Sequence, residues 1–269
     1  RFNYLISVMQ LTNDIILLNN IFLKYRNLNN FFPLIGSVLE GKQMGSVYVD
    51  KLINPKIVLV VHKFRFAQII SEESNNEVWS MICDVIDNQK DYKGNTLNKI
   101  RFYCASPNFI KYLGAINNYN FQVGERIRFL SNEYLKIDCV KDFQLSKNDI
   151  DLLNKQHQIQ TGSRFWNNNE DFLKNSYSYC VKEGNIIKSI CYAAAVSNNK
   201  AEIDVATHVG FRKKGFAKEA VLGFIKLCSN CGIIPLWDCY ENNIASVQTA
   251  ISIGFKKYFS YHFLIISSK

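Results

Sequence analysis

The sequence predicts an α/β (α+β) protein, a mixed sheet with helices on both faces, assembled as two related modules. Three observations carry that expectation. Runs that alternate apolar and polar residues are followed by runs with three-and-four spacing, the signatures of strand and helix. The succession from Gly36 onward, two or three strands, helix, strand, helix, strand, recurs in the second half, as an ancient tandem of one fold would. A chain of 269 residues, 48% of them hydrophobic, exceeds the usual size of one compact domain and can supply a core to each of two.

In the first half, residues 1–32 hold helical periodicity. Residues 36–50, punctuated by Gly41 and Gly45, read as a hairpin, and the apolar run 57–61 reads as the next strand. A helix over 77–86, a strand over 99–104, a helix over 107–116 and a strand over 121–130 complete the series. The linker is expected near residues 135–144, because Ser146-Lys147-Asn148-Asp149 looks like a helix cap opening the second module. The modules are therefore placed at 1–135 and 136–269.

The second half starts with a helix over 146–160 and a polar, aromatic stretch over 164–170 that reads as a substrate-facing loop. Residues 178–181 and 186–196 form a hairpin around Glu183-Gly184-Asn185. The alternating run 201–209 follows, with Glu202 and Asp204 on one face at spacing two. It ends at Arg212-Lys213-Lys214-Gly215-Phe216-Ala217, beyond which Ala217, Ala220, Val221, Phe224, Ile225 and Cys228 mark a helix ending near Gly232. Residues 233–240 make another strand, and Asn243-x-x-Ser246-x-x-x-Ala250-x-x-x-Gly254-Phe255 is a helix closed by glycine.

A strand that stops at a basic, glycine-bearing turn and enters a helix leaves several backbone N–H groups aimed outward, where the dipole favours an anion. Three cations at the first turn, Arg212, Lys213 and Lys214, oppose that dipole unless an anionic ligand sits there. This is a place to hold a pyrophosphate.

The order strand, R-x-x-G-x-A, helix, strand, N-x-x-S-x-x-x-A-x-x-x-G-F resembles the acetyl-coenzyme A core of the GCN5-related N-acetyltransferases (GNAT). Glu202-Ile203, Thr207, Arg212 to Ala217, Pro235-x-Trp237-Asp238-Cys239 and the 243–255 run are similar to a bacterial two-module subfamily of about this length. The specific motifs cover residues 180–262. The resemblance implies a GNAT fold with a mostly antiparallel mixed sheet and acetyl-CoA as cofactor. It further implies contacts to that cofactor from Thr207, Val209, Arg212, Lys213, Lys214, Gly215, Phe216, Ala217, Asn243 and Ser246. The first half lacks R-x-x-G-x-A between Val61 and Trp79, so it is expected to be a degenerate GNAT-like copy.

N-acetyl transfer asks a protein to position an amine, take a proton from it and polarise the acetyl carbonyl. Glu202 matches the position where this superfamily often places a base, with Asp204 as the second candidate and a strand-edge ion pair as the bland alternative for either. His208 is a further imidazole candidate. Many relatives carry a tyrosine four residues before the glycine of the last helix; here that residue is Ala250. Ser246 and Tyr240 are the remaining hydroxyl candidates for protonating the departing thiolate, against helix back-bonding for the one and packing for the other.

Composition limits the remaining classes. The formal charge of +9 is accounted for by an anionic cofactor and a solvated surface, so no nucleic-acid partner is required. No uninterrupted apolar stretch of about 18 residues exists, so no membrane span is expected, and no secretory signal is visible. Of the eight cysteines, six (Cys83, Cys104, Cys139, Cys180, Cys191 and Cys239) lie in apolar or strand-like runs, which suits a reduced, cytoplasmic protein. Cys228-Ser229-Asn230-Cys231 lacks the second ligand pair of a zinc site, so no metal is expected. The leading expectation is acetyl transfer to a primary amine on a small molecule, such as an antibiotic or metabolite. Acetylation of a protein N-terminus or lysine, and a lapsed coenzyme A-binding module, are the alternatives. A homodimer is among the assemblies allowed.

Overall fold

The computed structural model describes residues 8–72, 75–131, 144–156 and 158–269. The chain divides into two compact units, Arg1–Glu125 with Tyr261–Lys269, and Arg126–Ser260. The linker expected over 135–144 falls, apart from Gln144, outside the described residues. Among the described residues no helix is long and apolar enough to cross a membrane.

In the first unit, strand β1 (Gln10–Thr12) precedes helix α1 (Ile15–Tyr25). Asp14 starts that helix by accepting the Ile16 and Leu17 amides at 2.9 and 3.1 Å. Helix α2 (Pro33–Leu39) occupies the position where the sequence predicted the first arm of a hairpin. Its residues are all buried, and Pro33 lacks the amide that a first turn leaves unpaired, so packing overrides the turn signal of the glycines. Strands β2 (Gly45–Val49), β3 (Ile57–His62) and β4 (Phe66–Ser71) form an antiparallel meander. Helix α3 (Asn76–Asn88) crosses over, and β5 (Lys99–Phe102) returns parallel to β4, with Phe66 opposite Arg101. Helix α4 (Pro107–Ile116) then leads into β6 (Tyr119–Leu130). The core here gathers Leu59, Val61, Ile82 and Phe102 around Trp79 and Phe109, whose rings stack at 4.9 Å.

In the second unit, helix α5 (Lys147–Gln156) opens on the expected cap: Ser146 Oγ accepts the Asp149 amide at 3.3 Å, and Asp149 Oδ2 accepts the Ser146 amide at 2.8 Å. A 3-10 turn (Gly162–Arg164) and helix α6 (Asn169–Asn175) follow. Strands β7 (Tyr179–Glu183), β8 (Ile186–Ser197) and β9 (Lys200–Thr207) are antiparallel. Helix α7 (Phe216–Asn230) crosses to β10 (Ile234–Tyr240), which is parallel to β9, and helix α8 (Ile244–Ile253) ends at Gly254 in the left-handed region, φ 104°. The meander, crossover helix and parallel strand of the first unit are thus repeated, and the tandem expected from element order is present in the topology.

The chain exchanges strands between its halves. Residues 126–130 of β6 pair antiparallel with β10, and strand β11 (Lys256–Ser268) places Leu264 to Ser267 antiparallel to β5. In the second unit Ile127, Phe129, Ala201, Trp237 and Cys239 pack with Val221, Phe224 and Ile253 of the helices, and Ile203 and Val205 lie against the same cluster. Each fully buried Phe or Ile in such a cluster is worth roughly 1.5–3 kcal/mol. Strand alternation then puts Arg126, Arg128, Glu202, Asp204, Asp238 and Tyr240 on the opposite face.

Candidate active site

The basic turn is exposed and its donors are available. Gly215 adopts φ 84°, ψ −8° at the N-cap of α7, a conformation that costs an L-residue energy but not glycine. No side chain caps the helix. Among the described residues, the amides of Lys213 to Lys218 have no acceptor, whereas those of Phe211 and Arg212 bond back to His208 and Val209. Their donors therefore converge at the positive end of a helix dipole. A Cβ built on Gly215 would meet nothing within 4 Å, so the approach to these amides is open.

Cations surround the turn and are partly restrained. Arg212 Nε reaches the Thr207 carbonyl at 3.4 Å, Lys214 Nζ the Gly210 carbonyl at 3.3 Å, and Lys218 Nζ the Ser252 carbonyl at 3.0 Å. Lys188 of β8, which sequence reasoning missed, lies 4.7 Å from the Phe216 ring centre. No local signal marks it, because only the pairing of β8 with β9 brings it to the start of α7. His208 is occupied locally: its Nδ1 accepts the Gly210 amide at 3.2 Å.

Beside this turn the sheet splits. Strands β9 and β10 pair from Lys200/Ile234 to Glu202/Leu236 and no further, although β9 runs on to Thr207 against β8 and β10 to Tyr240 against β6. Among the described residues, the backbone groups of 203–207 that point away from β8 have no strand partner. An opening of this kind holds unpaired main-chain donors and acceptors that an extended, amide-bearing molecule can satisfy. Thr207 lies at its lip, with its hydroxyl 2.9 Å from Ser189 Oγ, and Val209 is exposed just beyond.

Glu202 sits where the two strands part and is 5% exposed. Asp204 follows two residues on. Its Oδ2 receives a hydrogen bond from Tyr192 at 2.7 Å and an ion pair from Arg164. Burial, and then the Asp204 carboxylate, push the Tyr192 phenol well above its ordinary pKa, so it remains a donor. Across the split, Arg128 Nε donates to Asp238 Oδ2 at 2.8 Å and its Nη2 lies 2.8 Å from the same oxygen, both side chains 2% exposed. Neither arginine was singled out from sequence, since their partners lie 40 and 110 residues away.

The expected loop over 164–170 is in part a packed wall. Phe165 and Trp166 are buried, and the Trp166 indole donates to the Ala193 carbonyl at 2.9 Å. The hydroxyl candidates divide as well. Ser246 Oγ accepts the Trp237 indole at 3.1 Å, and Arg126 stacks on Tyr240 with its guanidinium carbon 5.0 Å from the ring centre. Ala250 is fully buried in the core, and Asn243 caps α8 by accepting the Ser246 amide at 3.2 Å. Of the C-x-x-C pair, Cys228 is buried and Cys231 exposed.

At the crossover helix of the first unit, the described residues cap the first turn instead of leaving it open. Asn75 Oδ1 accepts the Glu77 and Val78 amides, both at 3.1 Å, and Glu77 adds negative charge to the first turn of α3. Two of the first-turn donors are therefore occupied there.

A family model described as GNAT acetyltransferase matches residues 28–264. The chain belongs to the GNAT acetyltransferases. The Bacillus subtilis (strain 168) protein named as the uncharacterized N-acetyltransferase YdfB is 25% identical over 253 residues, 88% of this chain and 94% of that one. Among solved structures, a GCN5-related N-acetyltransferase-like protein from Streptococcus suis 89/1591 covers 94% of this chain and 98% of its own, at 17% identity and a TM-score of 0.61. A tandem GNAT protein from the clavulanic acid biosynthesis pathway covers 97% and 98%, at 8% identity and a TM-score of 0.61. The GNAT likeness, read from motifs in residues 180–262, therefore extends over nearly the whole chain, and the protein is an acetyltransferase of the GNAT family.

Proposed function

We propose that the second unit uses acetyl-CoA to acetylate a primary amine on a small molecule, with Glu202 taking the proton from the amine. The observation that carries this reading is the open β9–β10 split beside the unpaired amides of Lys213 to Lys218. The residues fit the cofactor. The amides of the turn, with Arg212, Lys213 and Lys214, would hold its diphosphate, Gly215 allowing close approach and Phe216 and Ala217 starting the helix. The free edge of β9 near Thr207 and Val209, with Asn243 opposite, would hold its amide-bearing arm. When bound, acetyl-CoA supplies an acetyl group activated as a thioester.

The chain's own residues do the rest. Glu202 accepts a proton from the acceptor, directly or through one water, which matters because an aliphatic ammonium has a pKa near 10. Asp204, whose Oδ2 is held by Arg164 and Tyr192, is the second candidate for that role. A β9 edge amide would polarise the carbonyl, and the Ser246 or Tyr240 hydroxyl would return a proton to the thiolate; a thiol of pKa near 8.5 also leaves unaided. Calorimetry with acetyl-CoA tests the cofactor site. Arg212→Ala combined with Gly215→Ala is expected to abolish measurable binding, and an unchanged affinity refutes the reading. An amine-library screen with thiol detection then identifies the acceptor.

A further inference from the structure

We infer, resting on the transferase reading above, that Arg164 is a specificity-setting positioning residue: through Asp204 it fixes the Gln160–Ser163 stretch as a wall of the acceptor site beside Glu202. Arg164 leaves the 3-10 turn and forms its ion pair on the same β9 face as Glu202, two residues along the strand. Its other terminal nitrogen, Nη1, donates to Gln160 Oε1 at 2.6 Å, and its guanidinium carbon lies 4.8 Å from the Phe165 ring centre. Tyr192, directly opposite Asp204 in register, donates to the same carboxylate oxygen. One guanidinium thus links three points: the polar stretch, the buried aromatic anchor and the active face of β9.

The pair does not simply hold the turn to the sheet. Phe165 and Trp166 already do that, the latter by plugging the Ala193 carbonyl at the irregularity between Ala193 and Ala195 of β8. Arg164 and Asp204 side chains are 31% and 25% exposed, and a pair so accessible adds little to stability. What it sets is direction. With Nη2 on Asp204 and Nη1 on Gln160, the stretch that carries the Thr161–Ser163 hydroxyl pair, 2.6 Å apart, is tied to the β9 face on which Glu202 lies two residues away. Hydroxyl and amide groups fixed to that face would select acceptors by hydrogen bonding, which discriminates more sharply than apolar fit.

The test uses the full chain, with Arg164→Ala, Arg164→Lys and Asp204→Asn. Tyramine, spermidine, glycylglycine and a tripeptide amide serve as acceptor probes, with hydrogen exchange measured at 160–163. Arg164→Ala is expected to raise exchange in that stretch and to raise KM for the preferred probe by about 10- to 100-fold, with the smaller change in kcat. Asp204→Asn is expected to give the same pattern, the double variant to be no worse than either single, and Arg164→Lys to be intermediate because it lacks the planar fork. Unaltered exchange and KM in Arg164→Ala overturn the inference. So does a collapse of kcat with a changed pH profile in Asp204→Asn alone, which would make Asp204 the proton acceptor. Wild-type protein that binds no acetyl-CoA by calorimetry would instead sink the transferase reading, while the exchange measurement still judges the role of Arg164.

Discussion

Replacing Gly215 by alanine separates the cost of a strained backbone from the loss of a ligand. The residue sits at φ 84°, where an L-side chain costs about 1–2 kcal/mol, and a Cβ there meets nothing within 4 Å, so no clash adds to it. For a chain of this size that loss lowers Tm by roughly 2–8 °C. Relief of the strain would rotate the turn and withdraw at least one amide from the convergent set of Lys213 to Lys218. A hydrogen bond to a charged group is worth about 1.5–3 kcal/mol, or about 10- to 150-fold in affinity. Calorimetric scanning of the free protein and titration with acetyl-CoA measure the two effects separately. A modest fall in Tm with an affinity loss in that range is expected. A fall in Tm with affinity held within about twofold would show that the turn does not grip the ligand, and the reasoning from open amides would fail.

Three further outcomes are expected. Glu202→Gln lowers kcat by about 10²- to 10⁴-fold with little change in acetyl-CoA affinity, read by thiol release and calorimetry; retained turnover moves the base elsewhere. Asp238→Ala leaves the Arg128 guanidinium buried without its carboxylate and costs about 3–5 kcal/mol, a fall of roughly 6–20 °C in Tm, whereas pairing it with Arg128→Leu recovers much of that loss. Asp149 gives an acid-side dependence. Burial would raise its pKa, but hydrogen bonds from Lys182 and Ser146 outweigh it and hold the carboxyl below its ordinary range. A depressed folded pKa stabilises above the unfolded value, about 3.9, and the contribution disappears as pH falls through the folded one. Asp149→Asn is therefore expected to be less stable than wild type at neutral pH, with the gap closing on acidification; a gap constant with pH assigns the loss to packing.

Much of the second half was legible because its signals are local. The cap at Ser146, the hairpin at Gly184, the turn at Gly215 and the stop at Gly254 each depend on a few neighbouring residues and their backbone preferences. Helix α2 departs from the expected hairpin for the complementary reason: Gly41 and Gly45 signal a turn, but the burial of residues 33–39 is set by strands that come later in the chain. The stretch 164–170 was read as a polar loop because Phe165 and Trp166 look exposed until β8 supplies a carbonyl for the indole. Glu202 and Asp204 share a face at spacing two. The contacts of Asp204 to Tyr192 and Arg164 are invisible at that spacing, because they come from another strand and from a turn 40 residues away.

Sequence alone determined that a crossover helix begins at a glycine-bearing basic turn, that two carboxylates share the preceding strand, and that the chain carries a GNAT signature. These follow from side-chain chemistry and torsional preference within a dozen residues. The tertiary structure alone decided where β9 and β10 part, that Asp204 is tied to Arg164 and Tyr192, and that β6 and β11 each pair across halves of the chain. Those outcomes depend on strand register and on burial by distant residues, which only the packed chain brings together.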